Sequence, residues 1–261
     1  MDLGTIGGIA LCFLMLLGSV LFAGSALGLY IDAASIILVI GGSLAGVIAS
    51  SPLQQVLKIV THLKIACTII NYEKEKLIST LVSFSEQARR EGLLALEDSL
   101  DELEDKFLAK GLRLVVDGTD PTLIKSILYN ELNQLDARHQ VVIKMWSDWT
   151  KLAPAFGMMG TVLGLIAMMA NLGDQASVGS GMALALITTL YGAFMGNAFC
   201  APIQAKLETR NGDEIMVKEL MVEGILSIQS GDNPRMVEEK LLAFLSPIER
   251  ESIKAASTTG E

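Results

Sequence analysis

The apolar positions of this chain gather into four long runs, residues 3–30, 33–57, 152–172 and 176–205, none of which contains Asp, Glu, Lys, Arg or His. Each is long enough to cross a hydrocarbon core about 30 Å thick, which takes roughly 20 helical residues. A helix in lipid also satisfies its own backbone hydrogen bonds, as that medium requires. A water-soluble core helix can be apolar all round, but it seldom runs so long without a charge. The pattern therefore predicts four transmembrane helices.

The polar residues fall in two other segments, 58–151 and 206–261, and both read as helical. Residues 59–66 are predicted to continue the second span beyond Pro52. Leu77, Leu81, Phe84 and Ala88 recur at helix spacing. Gly92 interrupts, and a further helix is expected over 93–108 from Leu93, Leu96, Leu100, Leu103 and Phe107. Asp117-Gly118-Thr119-Asp120-Pro121 reads as a turn followed by a helix start. From there one helix is predicted to run over 121–151 into the third span. Gln229-Ser230-Gly231-Asp232-Asn233-Pro234 is a second turn of the same kind. No strand pattern is present, so the fold class is all-α: a polytopic membrane protein with four transmembrane helices and a helical cytoplasmic domain. The chain divides into 1–57 (helices one and two), 58–151 (cytoplasmic loop), 152–205 (helices three and four) and 206–261 (cytoplasmic tail).

Composition supports this, with 51% of the 261 residues apolar, above the usual range of a soluble domain. The net charge of −9 hides a sharper signal: all 20 Lys and Arg lie in the two charged segments, and the connectors around 30–32 and 173–180 have none. Basic residues near membrane ends stay in the cytoplasm. Segment 58–151 and the C-terminus are thus expected inside, and an even number of spans puts the N-terminus inside as well. The first run is not expected to be a cleaved signal peptide, since Met1-Asp2-Leu3 carries no positive charge. Cys12, Cys67 and Cys200 show neither metal-site nor disulfide spacing.

Little in the chain could carry chemistry. Gly157, Gly160 and Gly164 share one helix face, as do Ala185, Thr189, Gly192 and Gly196. Small faces let helices approach closely in lipid, and the pattern fits a subunit interface or packing within one monomer. Thr161, Thr188 and Thr189 sit at mid-membrane depth. Each hydroxyl could bond the carbonyl one turn back, or the group could offer neutral oxygens to a hard cation such as Na⁺. Pro154 opens the third run and Pro202 ends the fourth, which reads as helix termination or as a hinge with a freed carbonyl. In the loop, Arg89 and Arg90 precede an acidic cluster of Glu97, Asp98, Asp101, Glu102, Glu104 and Asp105, either a solvated face or a charged docking surface. There is no P-loop, no nucleophile motif and no intramembrane carboxylate; Asp32, at the outer end of the second run, comes nearest. Ion pathways usually involve such an acid, so a second polypeptide is expected to supply it. Neither an enzyme, a permanently bound cofactor or metal, nor a nucleic-acid partner is expected.

Several stretches are specific: Ala88-Arg89-Arg90-Glu91-Gly92-Leu93-Leu94-Ala95-Leu96-Glu97, Val115-Val116-Asp117-Gly118, Ala153-Pro154-Ala155-Phe156-Gly157-Met158-Met159-Gly160-Thr161-Val162-Leu163-Gly164-Leu165, Thr188-Thr189-Leu190-Tyr191-Gly192-Ala193 and Ile225-Leu226-Ser227-Ile228-Gln229-Ser230-Gly231-Asp232-Asn233-Pro234. On these the chain resembles, over nearly its full length, the MotA/PomA family of bacterial flagellar stator subunits, within the MotA/TolQ/ExbB superfamily. The resemblance implies an ion-driven torque generator of the bacterial inner membrane. It implies a homopentamer around a MotB/PomB-like partner that carries the intramembrane Asp, and contact with the rotor protein FliG. It assigns Arg89, Arg90, Glu97 and Asp98 to rotor contact, Pro154 and Pro202 to conformational coupling, Thr161, Thr188 and Thr189 to the ion path, and Asp32 to the ion entrance. Thr161 looks like the sodium-type PomA members, where proton-type members tend to carry a small apolar residue; Na⁺ is the expected coupling ion and H⁺ the alternative. Asp98-Ser99 departs from the sodium-type pattern. An ExbB/TolQ-like energiser, expected to have three spans, and a non-conducting membrane scaffold are the alternatives.

Overall fold

The computed structural model describes residues 2–101 and 103–251, and among these it contains helices and no strand. Four helices are long and apolar enough to cross a membrane, in Leu3–Phe22, Leu27–Ser50, Pro121–Ala170 and Gln175–Gln229. They are α1 (Leu3–Phe22), α2 (Ala33–Ile36 and Gly42–Ser50, joined through the π turn Ile37–Gly41), α6 (Pro121–Ala170) and α7 (Gln175–Ala193 and Ala201–Gln229, joined through the π turn Phe194–Cys200). Shorter helices are α3 (Ile59–Cys67), α4 (Lys74–Glu91), α5 (Lys106–Val116) and α8 (Pro234–Leu242).

The chain forms two compact units, one of residues 1–69 with 138–210, the other of 70–137 with 211–261. The boundaries differ from those of the charge pattern: the polar stretches 58–69, 138–151 and 206–210 pack with the apolar unit.

In the first unit the buried core joins Val47 of α2, Ala66 of α3, Trp146, Trp149 and Ala153 of α6, and Cys200, Ile203 and Leu207 of α7. Trp146 and Trp149 stack at 5.4 Å between ring centroids, and the Trp149 indole N–H donates to Ser43 Oγ at 3.1 Å. Much of the remaining span surface is exposed. Leu14 and Met15 of α1 are largely exposed, as lipid-facing residues must be once lipid replaces water as the solvent.

The second unit is a helical domain with its own buried core. The buried stripe of α5 is Phe107, Leu108, Gly111, Leu112 and Val115, and it shares a core with Leu81 of α4, Ile124 and Leu128 of α6, Leu220 and Ile225 of α7, and Leu241 of α8. Burying each such side chain contributes roughly 1.5–3 kcal/mol. The turns follow local rules. Gly92, Gly118 and Gly231 take positive φ, open to glycine without strain. Asp105 caps α5 by accepting from the N–H of Phe107 and Leu108, and Asn233 caps α8 ahead of Pro234, each satisfying an otherwise unpaired first-turn donor.

Three expectations are corrected. Residues 59–66 do not continue the second span: Ser51 is extended, at φ −127° and ψ 154°, because a residue before proline is driven out of the helical region. Residues 93–108 are not one helix. A 3-10 turn Leu93–Leu96 and a single turn Glu97–Leu100 precede α5, and the new cap at Asp105 sets a fresh start. Neither proline ends a helix; both Pro154 and Pro202 lie inside one. The carbonyl of Thr150, four residues before Pro154, would lie 2.7 Å from a Cβ placed on Gly196, so a glycine there lets α7 approach the carbonyl the proline leaves unpaired. The π turn Phe194–Cys200 ends two residues before Pro202 and contains residue 198, whose carbonyl a regular helix would drive into the proline ring.

A hydroxyl pair on a glycine seam

The seam between α6 and α7 is built from small residues on both sides. A Cβ on Gly157 would sit 2.9 Å from Thr188 O and 3.2 Å from Gly192 Cα. One on Gly164 would sit 2.6 Å from Gly181 O. Between the two alternatives left by the spacing, these contacts show the small faces packed within the chain.

On this seam Thr161 Oγ and Thr189 Oγ lie 2.5 Å apart. The Ala185 carbonyl is within reach of both, at 3.3 Å from Thr161 and 3.1 Å from Thr189, and Gly157 O lies 3.2 Å from Thr161. Each hydroxyl has one proton and two lone pairs. One therefore donates to the other, the second donates to a carbonyl, and oxygen lone pairs stay free to accept. Thr189 is exposed and Thr161 half-buried. Thr188 differs. It is fully buried, its hydroxyl donates within α7 to Leu184 O at 2.9 Å or Ala185 O at 3.1 Å, and it faces Gly160 across the seam. The structure thus gives Thr188 the local back-bonded role and brings only Thr161 and Thr189 together.

Asp32 lies at the start of α2, apart from that pair in the bonding pattern. Its carboxylate accepts from Ser35 N at 2.7 Å and Ser35 Oγ at 2.6 Å, the arrangement of a helix N-cap. Tyr191 was not singled out by spacing, yet its hydroxyl donates to Tyr30 O and accepts from Asp32 N at 3.4 Å. It fastens the start of α2 to α7 two residues beyond Thr189, and its place in the Thr188-Thr189-Leu190-Tyr191 stretch was the available signal. Asp2 anchors the opposite end of the unit: it caps α1 through Thr5 N and pairs with Lys206 at 3.0 Å and Arg210 at 3.4 Å. The Lys206 contact, with the Thr5 hydrogen bonds, holds its carboxyl down to about 2.

In the second unit Arg89, Arg90, Glu97 and Asp98 are all exposed. Arg90 pairs loosely with Glu86 at 3.9 Å on the same helix. Glu102 lies outside the described residues. No group of His, Cys, Asp and Glu among the described residues is placed to hold a metal.

These features define a class: a four-span membrane protein in which two closely packed spans carry hydroxyls and, over runs 152–172 and 176–205, no Asp, Glu, Lys, Arg or His, joined to a charged helical domain. Residues 99–220 match the MotA/TolQ/ExbB proton channel family. Motility protein A of Borreliella burgdorferi is 45% identical over 98% of both chains, and Chemotaxis protein PomA of Vibrio alginolyticus is 35% identical over 94% of this chain and 96% of its own. Among solved structures, the flagellar MotAB stator complex from Bacillus subtilis aligns with TM-score 0.86 at 31% identity, covering 95% of this chain and 97% of that one. The C. jejuni MotAB structure aligns with TM-score 0.84 at 30% identity over the same shares. The chain belongs to the MotA/TolQ/ExbB family.

Proposed function

We propose that the protein is the ion-conducting stator subunit of a bacterial flagellar motor, a multi-pass inner-membrane protein with both termini and the charged helical unit in the cytoplasm. The observation that carries this is the Thr161–Thr189 hydroxyl pair, set between runs 152–172 and 176–205 that hold no ionised group. Such a wall can solvate a passing cation but cannot relay its charge, so a MotB-like partner supplies the intramembrane Asp. The MotAB complexes that align with this chain support that assignment. Neutral hydroxyl and carbonyl oxygens suit a hard cation, which favours Na⁺; the description of the matched family as proton channels favours H⁺ as the second reading. The chain acts as a homopentamer. The exposed Arg89, Arg90, Glu97 and Asp98 meet complementary charges on FliG, where charge patterns select the partner and its register. Pro154 and Pro202, at the end of the close-packed seam, lend α6 and α7 the compliance that couples ion passage to motion.

The test is rotation speed against Na⁺ concentration at fixed pH, with the partner co-expressed. Speed is expected to rise with Na⁺, and Thr161→Ala to abolish or greatly weaken that rise while the complex still assembles. A variant with wild-type Na⁺ dependence would take Thr161 out of the ion path. A wild type that ignores Na⁺ and follows pH would make the coupling ion H⁺.

A further inference from the structure

A second feature of the first unit lies away from the hydroxyl pair. A groove of about 390 Å³ runs between α1 and α7. Its α1 side is Gly4, Gly8 and Cys12, one residue per turn, and its α7 side includes Ala198, Pro202 and Ala205. From residue 4 to residue 12 it follows α1 for about 12 Å. A Cβ on Gly8 would meet nothing within 4 Å, so the groove is open on the face that α1 otherwise turns to lipid.

One end is polar. Thr5 lines it and is 5% exposed, next to the Asp2 carboxylate. Lys206 lines the same end with its side chain 41% exposed. Asp2 faces two cations there, Lys206 at 3.0 Å and Arg210 at 3.4 Å; Arg210 is 15% exposed and is also held by the Ala66 carbonyl. One carboxylate against two cations leaves a net charge of +1 at the groove mouth, and Lys206 is the cation that remains accessible.

We infer that this groove binds one anionic glycerophospholipid of the surrounding bilayer, its acyl chain against Gly8, Cys12 and Pro202 and its phosphate on Lys206. The polarity of the groove is that of a lipid in one leaflet, apolar toward the middle of α1 and cationic at its first turn. The groove is continuous with the lipid-facing surface of α1. This inference depends on membrane insertion and not on the identity of the coupling ion.

The test uses the full chain, expressed with its partner, extracted in mild detergent and weighed intact by native mass spectrometry. The sample is first equilibrated with phosphatidylglycerol or phosphatidylethanolamine. Wild type is expected to retain phosphatidylglycerol preferentially. Lys206→Gln should cut that retention about fivefold, the effect of one basic residue at an anionic surface, and Lys206→Arg should keep it. Gly8→Leu should lose it by filling the groove. Asp2→Asn, which raises the charge at the mouth, should increase retention, a gain that a damaged fold would not produce. Equal retention of the two lipids, or retention indifferent to both Lys206→Gln and Gly8→Leu, would overturn the inference. So would a Gly8→Leu protein that keeps its lipid and changes its number of copies, which would place a second copy's helix in the groove. Displacement of the lipid by inorganic phosphate alone would reduce the site to its charges and overturn it too.

Discussion

Gly164→Ala places one methyl group in a close-packed part of the α6–α7 seam. Its Cβ would lie 2.6 Å from Gly181 O, 2.7 Å from Ala185 N and 2.8 Å from Ala185 Cβ. Two of the three neighbours are backbone atoms, which cannot rotate away as a side chain would. The helices must part locally by about 0.5–1 Å, which forfeits a quarter to a half of each dispersion contact along the seam. In lipid there is little hydrophobic drive to offset this, since association there rests on packing itself. Overpacking of this kind costs about 1–3 kcal/mol. The shift also reaches Ala185, whose carbonyl lies within bonding distance of both Thr161 and Thr189, so the hydroxyl pair should open in the same variant. The assay is thermal unfolding of the intact complex in lipid nanodiscs, with rotation speed read in parallel. Gly179→Ala is the control, because a Cβ there meets nothing within 4 Å and a change at an open site should fall within about 0.5 kcal/mol. Adding Ala185→Gly to Gly164→Ala removes only the contact with Ala185 Cβ, so the double variant should stay less stable than wild type. If Gly164→Ala proves as stable as Gly179→Ala, the seam is not close-packed and the argument built on it fails.

Two further outcomes are expected. Ser43→Ala deprives the buried Trp149 indole N–H of its acceptor and should cost about 1–3 kcal/mol, read by denaturant unfolding; wild-type stability would mean that Trp149 finds another partner. His62 is buried, and burial first, then the charge of Lys58, lowers its pKa from 6.5. The unfolded chain therefore binds the extra proton more readily, so the stabilising effect of a neutral His62 is complete above pH 6.5 and is lost as pH falls below it. Unfolding measured between about pH 5 and 8 should show this loss in wild type and a flatter profile in His62→Gln; identical profiles would exclude His62 as the source.

The spans were legible because lipid imposes a demand that composition alone can meet: long runs without charge. The turns at 117–121 and 229–234 were legible because Gly, Asn, Asp and Pro each act locally. The break at Ser51 ahead of Pro52 is also a local effect, whereas the other misreadings concern residues whose effect depends on what packs against them. Pro154 and Pro202 look like helix ends in isolation, yet Gly196 on a distant stretch of chain accommodates one and a π turn accommodates the other. Leu93 to Phe107 keeps helix spacing through a segment that is broken, because apolar periodicity records burial and not hydrogen bonding. Thr188 and Thr189 are adjacent and chemically alike. Only the position of α6 decides that the first is sealed against Gly160 and the second meets Thr161.

That last distinction bears on assembly. Because Gly157, Gly160, Gly164, Gly181 and Gly192 are all used inside the chain, they cannot also serve as the close-approach face toward another subunit. The surfaces of α6 left open are the large apolar ones: Met158, Val162, Ile166 and Met169 are each more than half exposed. Contacts of these spans with lipid or with another chain must therefore use long, adaptable side chains, while α6 and α7 remain locked to one another by backbone contact. A locked pair inside a compliant surround is a rigid wall. It keeps the two hydroxyls at fixed separation whatever moves against the open face of α6.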